Sequence, residues 1–179
     1  AFSLALNTTG EANTSVGLAA MDANTTGSNN VALGREALGG NTTASNNTAV
    51  GYQAGYANTT GADNTALGVK ALLTNTTGTL NVATGGSALR LNTTGSSNTA
   101  MGVSALFSNT TASENTAVGY EASYTNTTGT ANVSLGYQAL RASTTGSFNT
   151  ALGRRALYSN TTASNNTAVG FKAGNSNTT

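Results

Sequence analysis

The chain repeats one seventeen-residue unit ten times, from Asn7 to Ser176, without an insertion or a deletion. Each unit follows the frame N-T-T-G-x-x-N-T-A-Φ-G-x-x-A-L-x-x, in which Φ is an apolar residue. A short fixed period indicates units that cannot bury their apolar side chains alone and must stack on one another. We therefore expect one repeat array over residues 7–176. Residues 1–6 are expected to be a leader or the end of a preceding unit, and residues 177–179 the start of an eleventh.

The positions of the repeat differ in how strictly they are kept. Numbering starts at the Asn of N-T-T, so that Asn47 stands at position seven and Gly51 at position eleven. Thr at positions two and three, Asn at seven, Gly at eleven and Ala at fourteen never vary, and position ten is apolar except at Thr84. Position fifteen is mostly Leu, and the charged residues fall at variable positions. Fixed small or apolar positions should point inward or toward a partner, and variable positions toward solvent.

The length of the unit selects the fold class. A pair of helices needs roughly thirty residues per repeat, whereas seventeen residues fit one coil of a β-solenoid with two short strands and two turns. Side chains alternate along a strand, so Thr48 and Val50 share one face and Ala49 and Gly51 the other. We predict an all-β parallel β-solenoid, or β-roll, of ten coils with large aliphatic side chains buried at positions ten and fifteen. The smooth Ala-Gly face is then a seam for other chains; the alternative is that it lines the narrow interior or faces water.

Composition excludes several function classes. Charged residues make up 7% of the chain, the net charge is +1, and His, Cys, Trp and Pro are absent. Without Cys there are no disulfides or thiolate metal sites, and without His or Cys the usual nucleophile and base pairs are missing. The few cations look spread out, so no nucleic acid partner is expected, and no apolar run is long enough to span a membrane. We expect neither an enzyme nor a cofactor or metal.

Aromatic residues recur at two variable positions and are candidates for contact with sugars or surfaces. The alternative is that they fill grooves between coils. The candidates at positions twelve and sixteen are Tyr52, Tyr56, Tyr120, Tyr124, Tyr137, Tyr158 and Phe171.

The triplet N-T-T is also an acceptor motif for N-glycosylation, although Asn-Thr-Thr is equally good turn chemistry. It recurs once per repeat, with a single lapse at Ser143. The candidate acceptors are Asn7, Asn24, Asn41, Asn58, Asn75, Asn92, Asn109, Asn126, Asn160 and Asn177. Four further acceptor motifs begin at Asn13, Asn46, Asn132 and Asn165.

The stretch N-T-A-V-G-Y-Q-A at residues 47–54, with near copies at 115–122 and 166–173, resembles the head repeats of YadA-like trimeric autotransporter adhesins. It is also similar to repeat regions of bacterial and phage proteins described as tail-fibre-like. The resemblance implies a left-handed β-roll with three chains side by side, on an extracellular shaft or head that adheres to surfaces. The unit here departs from that pattern in its length, because N-T-T-G is extra.

These observations favour a structural repeat segment of an extracellular or cell-surface fibre or filament, a stiff shaft that is a candidate for glycan coating. The alternative is an adhesin head module that binds glycans or matrix through its lateral faces. The expected partners are further copies of the chain, as a trimer or an end-to-end filament, and glycans. Ice binding is disfavoured, because the paired threonines are adjacent in sequence and cannot both join one flat array.

Overall fold

The computed structural model describes residues 2–178 of the chain, and it is an all-β parallel solenoid of about nine turns. No helix occurs in residues 2–178. Ten three-residue strands follow one another in chain order within a single sheet. The strands are β1 (Thr14–Val16), β2 (Val31–Leu33), β3 (Thr48–Val50), β4 (Thr65–Leu67), β5 (Val82–Thr84), β6 (Thr99–Met101), β7 (Thr116–Val118), β8 (Val133–Leu135), β9 (Thr150–Leu152) and β10 (Thr167–Val169).

Successive copies of the repeat lie directly on top of one another. Each strand pairs in parallel with the strand of the next copy, and the register joins equivalent residues, as in Ala49 with Ala66. Outside the strands, backbone hydrogen bonds also run from coil to coil; the Thr59 N–H, for example, donates to the Thr76 carbonyl at 3.0 Å. The predicted β-solenoid is confirmed.

The second strand predicted in each coil is wrong for the described residues, where the rest of each coil consists of bends and turns. Positions six, thirteen and fifteen take left-handed backbone angles, as Asp63 (φ 59°), Lys70 (φ 57°) and Leu72 (φ 50°) show for one coil. Such angles are uncommon for residues other than glycine and cannot occur inside an extended strand. They turn the chain sharply enough to close a coil within seventeen residues.

The alternation of faces along each strand is confirmed, but the prediction of which face points inward is wrong. Ala49 is fully buried, whereas Leu67 at position ten is 45% exposed. The interior is narrow because the leucines at position fifteen already fill it. A Cβ at Gly55 would lie 3.7 Å from Cβ of Ala49 and 3.0 Å from the Leu38 side chain. Only a small side chain fits at position nine, so the Ala face lines the interior and the larger aliphatic residues point outward.

The core therefore consists of alanines at positions nine and fourteen and mostly leucines at position fifteen. Ala54, Leu72, Leu89 and Leu106 are at most 1% exposed. Position ten adds nothing to this core, and the Ala-Gly face is not a seam with another chain.

Asparagines at position seven form a ladder through the interior. The backbone N–H of Asn64 donates to Oδ1 of Asn47 at 2.9 Å, and that of Asn81 donates to Oδ1 of Asn64 at 3.0 Å. The Nδ2 of Asn47 donates to the Gly61 carbonyl at 2.9 Å. Each Asn side chain therefore accepts a hydrogen bond from the backbone N–H of the next coil, as a strand carbonyl would. This role explains why the position does not vary.

A second ladder runs through position one. The Nδ2 of Asn58 donates to Oδ1 of Asn41 at 3.0 Å and to the Gly61 carbonyl at 2.8 Å. Because that carbonyl also accepts the hydrogen bond from Asn47, the two ladders meet at position four. Buried amides cost free energy unless they are bonded, and the two ladders satisfy them coil after coil.

The position-one ladder is broken where Ser143 replaces asparagine. Two buried side-chain atoms there have no hydrogen-bond partner, Oγ of Ser143 and Oδ1 of Asn126. Serine is too short to donate to the coil below, so it leaves the Asn126 acceptor unmatched. An unmatched buried acceptor costs about 1–3 kcal/mol.

We predict that Ser143→Asn restores the ladder and raises the free energy of unfolding by about 1–2 kcal/mol. Denaturant unfolding followed by circular dichroism measures the change. Ser159→Asn, which adds the same group to a half-buried turn at position seventeen of the same coil, is the matched control and should stay within about 0.5 kcal/mol of the parent chain. An unchanged stability for Ser143→Asn would contradict the role of the ladder.

Two physical effects explain why glycine is invariant at position eleven. Its φ is positive, 137° at Gly102, and a Cβ there would lie 2.5 Å from the Gly119 carbonyl oxygen of the next coil. Gly170 has a similar φ of 124° but meets no atom closer than 4.0 Å. The two glycines therefore separate the cost of backbone strain from the cost of a clash between coils.

We predict that Gly102→Ala lowers the free energy of unfolding by about 2 kcal/mol more than Gly170→Ala, because only the first change forces two coils apart. Thermal and denaturant unfolding of the two variants measure the difference. Equal losses would show that backbone strain alone conserves this glycine within the array.

Candidate functional surfaces

The outer face of the sheet carries an uncharged strip whose apolar part is mainly position ten. This outer strip consists of the side chains at position eight (Thr or Val) and position ten, and neither position holds a charge in any copy. At position ten, Val16, Leu33, Met101, Leu135 and Val169 are between 46% and 68% exposed. Ten strands spaced by about 4.8 Å make the strip about 50 Å long and one short strand wide. A row of exposed apolar side chains of this length is a candidate interaction site.

Three coils widen the outer strip with apolar residues at position twelve. Leu18, Val69 and Val103 are each more than half exposed, and the glycine at position eleven leaves no side chain between them and the strip. Sequence reasoning assigned position ten to the core. The sequence does indicate that position ten faces outward, because position nine, on the opposite face of the strand, holds only the small residues Ala or Ser in all ten copies.

The predicted aromatic residues form two rows along the solenoid, and several of them stack on their axial neighbours. Tyr120 and Tyr137 stack with ring centroids 5.4 Å apart, and Phe107 and Tyr124 with centroids 5.0 Å apart. Both pairs have an interplanar angle of 14°. The Tyr56 ring lies over Gly39 of the coil before, where a Cβ would come within 3.2 Å of it.

Cationic side chains cover further ring faces. The Arg154 guanidinium lies between the rings of Tyr137 and Phe171, at 5.5 and 5.7 Å from their centroids. Arg35 and Lys70 flank the Tyr52 ring at 5.6 and 5.9 Å.

Two more aromatic residues are covered in the same way and are half-buried. Arg141 lies over Tyr124 at 5.1 Å, and Arg155 over Tyr158 at 5.2 Å. Contact between a sugar and an aromatic residue uses the ring face, and a neighbouring ring or cation lies over at least one face of most of these residues. Five of the seven candidates nonetheless remain 38–64% exposed, Phe171 the most. The alternative that the rings fill grooves between coils fits this packing better than a free sugar-binding strip does.

A polar cluster links the two aromatic rows. Oε2 of Glu121 accepts hydrogen bonds from Nε of Arg141 at 2.7 Å and from Nε2 of Gln138 at 2.9 Å. Partial burial acts to raise the pKa of Glu121. The hydrogen bonds from Arg141 and Gln138 outweigh it and hold that pKa below its usual value. Glu121 therefore stays ionised and neutralises Arg141.

The candidate acceptors for glycosylation at position one lie mostly in the interior. Eight of them are at most 2% exposed: Asn24, Asn41, Asn58, Asn75, Asn92, Asn109, Asn126 and Asn160. The Nδ2 of Asn92, for example, donates to Oδ1 of Asn75 and to the Gly95 carbonyl, both at 2.8 Å. A glycan on Nδ2 would remove one of these hydrogens and would have no room, so it is incompatible with this packing. Asn7 and Asn177 are half-buried.

Two of the four additional acceptor motifs lie on the surface. Asn46 and Asn165, both at position six, are exposed, whereas Asn132 is buried and Asn13 half-buried. The side chain of Asn46 donates one hydrogen bond, to Asp63, and that bond is also exposed.

Residues 2–178 hold neither a cluster of metal-ligating side chains nor a membrane-spanning helix. These residues contain no group of three or more Asp, Glu, His or Cys side chains placed to hold a metal ion. No helix among them has the length and apolarity needed to cross a membrane. Comparison with protein-family models, with curated proteins and with solved structures finds no match to this chain.

We predict that the folded chain, secreted from a host that N-glycosylates, carries glycans at Asn46 and Asn165 and none at the eight buried asparagines of position one, because buried and hydrogen-bonded amides leave no room for a glycan. Peptide mass mapping identifies the sites, with Asn46→Gln and Asn165→Gln as matched removals. Glycan found at Asn92 in material that retains β-sheet circular dichroism would contradict the burial of the ladder.

Proposed function

We propose that this chain is a stiff structural segment of an extracellular fibre, in which copies associate side by side through the outer strip. The observation that carries the proposal is the apolar residue at position ten, which is exposed in six of the ten coils and half-buried in three more. An uncharged row of exposed apolar side chains is costly in water and is buried when another copy covers it.

The coil-to-coil bonding supports the structural part of the proposal. Backbone hydrogen bonds and two asparagine ladders join each coil to the next, so the rod resists bending, and its length grows by about 4.8 Å for each repeat added. Continuation along the axis, by further repeats or by another copy, would use the free strand edges of β1 and β10.

The size of the outer strip supports association that strengthens with length. Ten strands give it a footprint of about 500 Å², somewhat below the roughly 800 Å² that each partner contributes to a stable interface. Each further coil adds the same area, so longer arrays should associate more tightly. The resemblance to trimeric adhesin heads favours three chains with their strips turned toward a common axis.

The structure weakens two of the other expectations drawn from the sequence. A glycan coat on position one does not fit the buried amides, and the adhesin alternative loses its free ring faces for sugar stacking. The shaft needs neither of these features.

The test of this proposal replaces apolar residues of the outer strip with charged ones. In Leu67→Glu with Met101→Glu, two carboxylates would be buried in the interface, and we expect association to weaken at least 100-fold, equivalent to about 3 kcal/mol or more. Sedimentation equilibrium measures the mass, with about three times 17.6 kDa expected for the parent chain and 17.6 kDa for the variant.

The matched control is Leu80→Glu with Phe148→Glu. These residues are 58% and 62% exposed at position six, away from the outer strip, and the control changes the net charge equally. It should associate like the parent chain. A parent chain that stays monomeric at high concentration, or a control that dissociates equally, would overturn the proposal.

A further inference from the structure

Charge is distributed unevenly along the solenoid. All six acidic residues lie at or before Glu121, whereas four of the seven cations follow it. Residues 1–121 therefore carry a net charge of −3 (three cations, six acids) and residues 122–179 a net charge of +4 (four cations, no acid), which together give the overall +1. The small overall net charge therefore conceals a basic segment, residues 122–179.

Stacking gathers three of these cations into one patch. Arg154 and Arg155 stand at positions twelve and thirteen of one coil, and Lys172 at position thirteen of the next. The backbone N–H of Lys172 donates to the Arg154 carbonyl at 2.9 Å, which fixes the two coils side by side. We call Arg154, Arg155 and Lys172 the basic patch. The cations looked dispersed in sequence because residues seventeen apart become neighbours only in the stacked fold.

The three side chains of the basic patch are held in place by uncharged groups. Arg154 lies between two aromatic rings, and Lys172 lies over the Phe171 ring at 5.3 Å. Nε of Arg155 donates to Oε1 of Gln138 at 3.0 Å. Within the described residues, the fourth cation, Arg141, has a carboxylate partner, and none of the three in the patch forms an ion pair.

Three like charges on two adjacent coils, none of them in an ion pair, raise the positive potential of this part of the surface. An anionic ligand is attracted by this potential, and it meets guanidinium groups whose side-chain entropy is already partly lost. Arginine donates in a planar fork that matches carboxylate, phosphate and sulfate groups. We infer that the basic patch is a binding site for an anionic polysaccharide, a function beyond that of the shaft.

The aromatic rings favour a polysaccharide over a single-stranded nucleic acid. Binding of single strands depends on bases stacking on open aromatic faces. Tyr137 stacks on Tyr120 and lies under Arg154, and Arg154 and Lys172 both lie over the Phe171 ring. The cations also follow the axis from one coil to the next, which suits any polyanion with charged groups at regular intervals. The ligand is then held by charge and hydrogen bonds.

The test compares two triple variants that remove the same net charge. Arg154→Gln, Arg155→Gln and Lys172→Gln together remove the basic patch; Arg35→Gln, Lys70→Gln and Arg90→Gln together remove the other dispersed cations and are the matched control. Binding of polygalacturonate (carboxylate) and heparin (sulfate) is measured by titration calorimetry at low and high salt, with dextran as the neutral polymer. We expect the patch variant to bind at least ten-fold more weakly, the control to stay within two-fold of the parent, and high salt to weaken binding.

Circular dichroism and sedimentation of both variants separate loss of the site from loss of the fold or of the fibre. The double variant Arg154→Lys with Arg155→Lys keeps the positive charge. It should bind the two polysaccharides more tightly than the triple glutamine variant of the basic patch does. No binding of either polymer by the parent chain would overturn the inference. Equal losses in both triple variants, or tighter binding of a single-stranded oligonucleotide than of either polysaccharide, would overturn it as well.

Discussion

The structure depends on hydrogen bonds from asparagine side chains that join each coil to the next. A coil of seventeen residues has an interior too narrow for large side chains on both walls, so hydrophobic burial alone is small. The amides at positions one and seven line the remaining space and bond to one another and to the carbonyl at position four. This arrangement requires the same residue at the same place in every coil, and an inserted or deleted residue would shift both ladders out of register.

The narrow interior also determines the outside of the rod. Only a residue as small as alanine or serine fits at position nine, so the larger aliphatic residues of the same strand point to solvent. The outer strip and the proposed association of chains therefore follow from the same constraint as the core. Stacking likewise brings Arg154 and Lys172 together in the basic patch.

Much of the fold could be predicted from the period, because ten copies without a gap require stacking in register, and alternation correctly grouped Thr48 with Val50. Alternation cannot say which face points inward, and the answer came from the width of the interior and the space taken by the leucines at position fifteen. The left-handed angles at Lys70 and Leu72 carry no local sequence signal, so the missing second strand could not be anticipated. The aromatic rows were foreseeable, but the covering of their faces by arginines seventeen residues away was not.

Hydrogen exchange of the asparagine side-chain amides, measured by nuclear magnetic resonance, tests whether the two ladders hold the coils together. The Nδ2 hydrogens of interior residues such as Asn58 and Asn92 should exchange as slowly as the backbone amides of the strands. Those of the exposed Asn29 and Asn165 should exchange at the rate of free asparagine. Rapid exchange of the interior side chains beside protected strand amides would contradict the claim that these ladders hold the coils together.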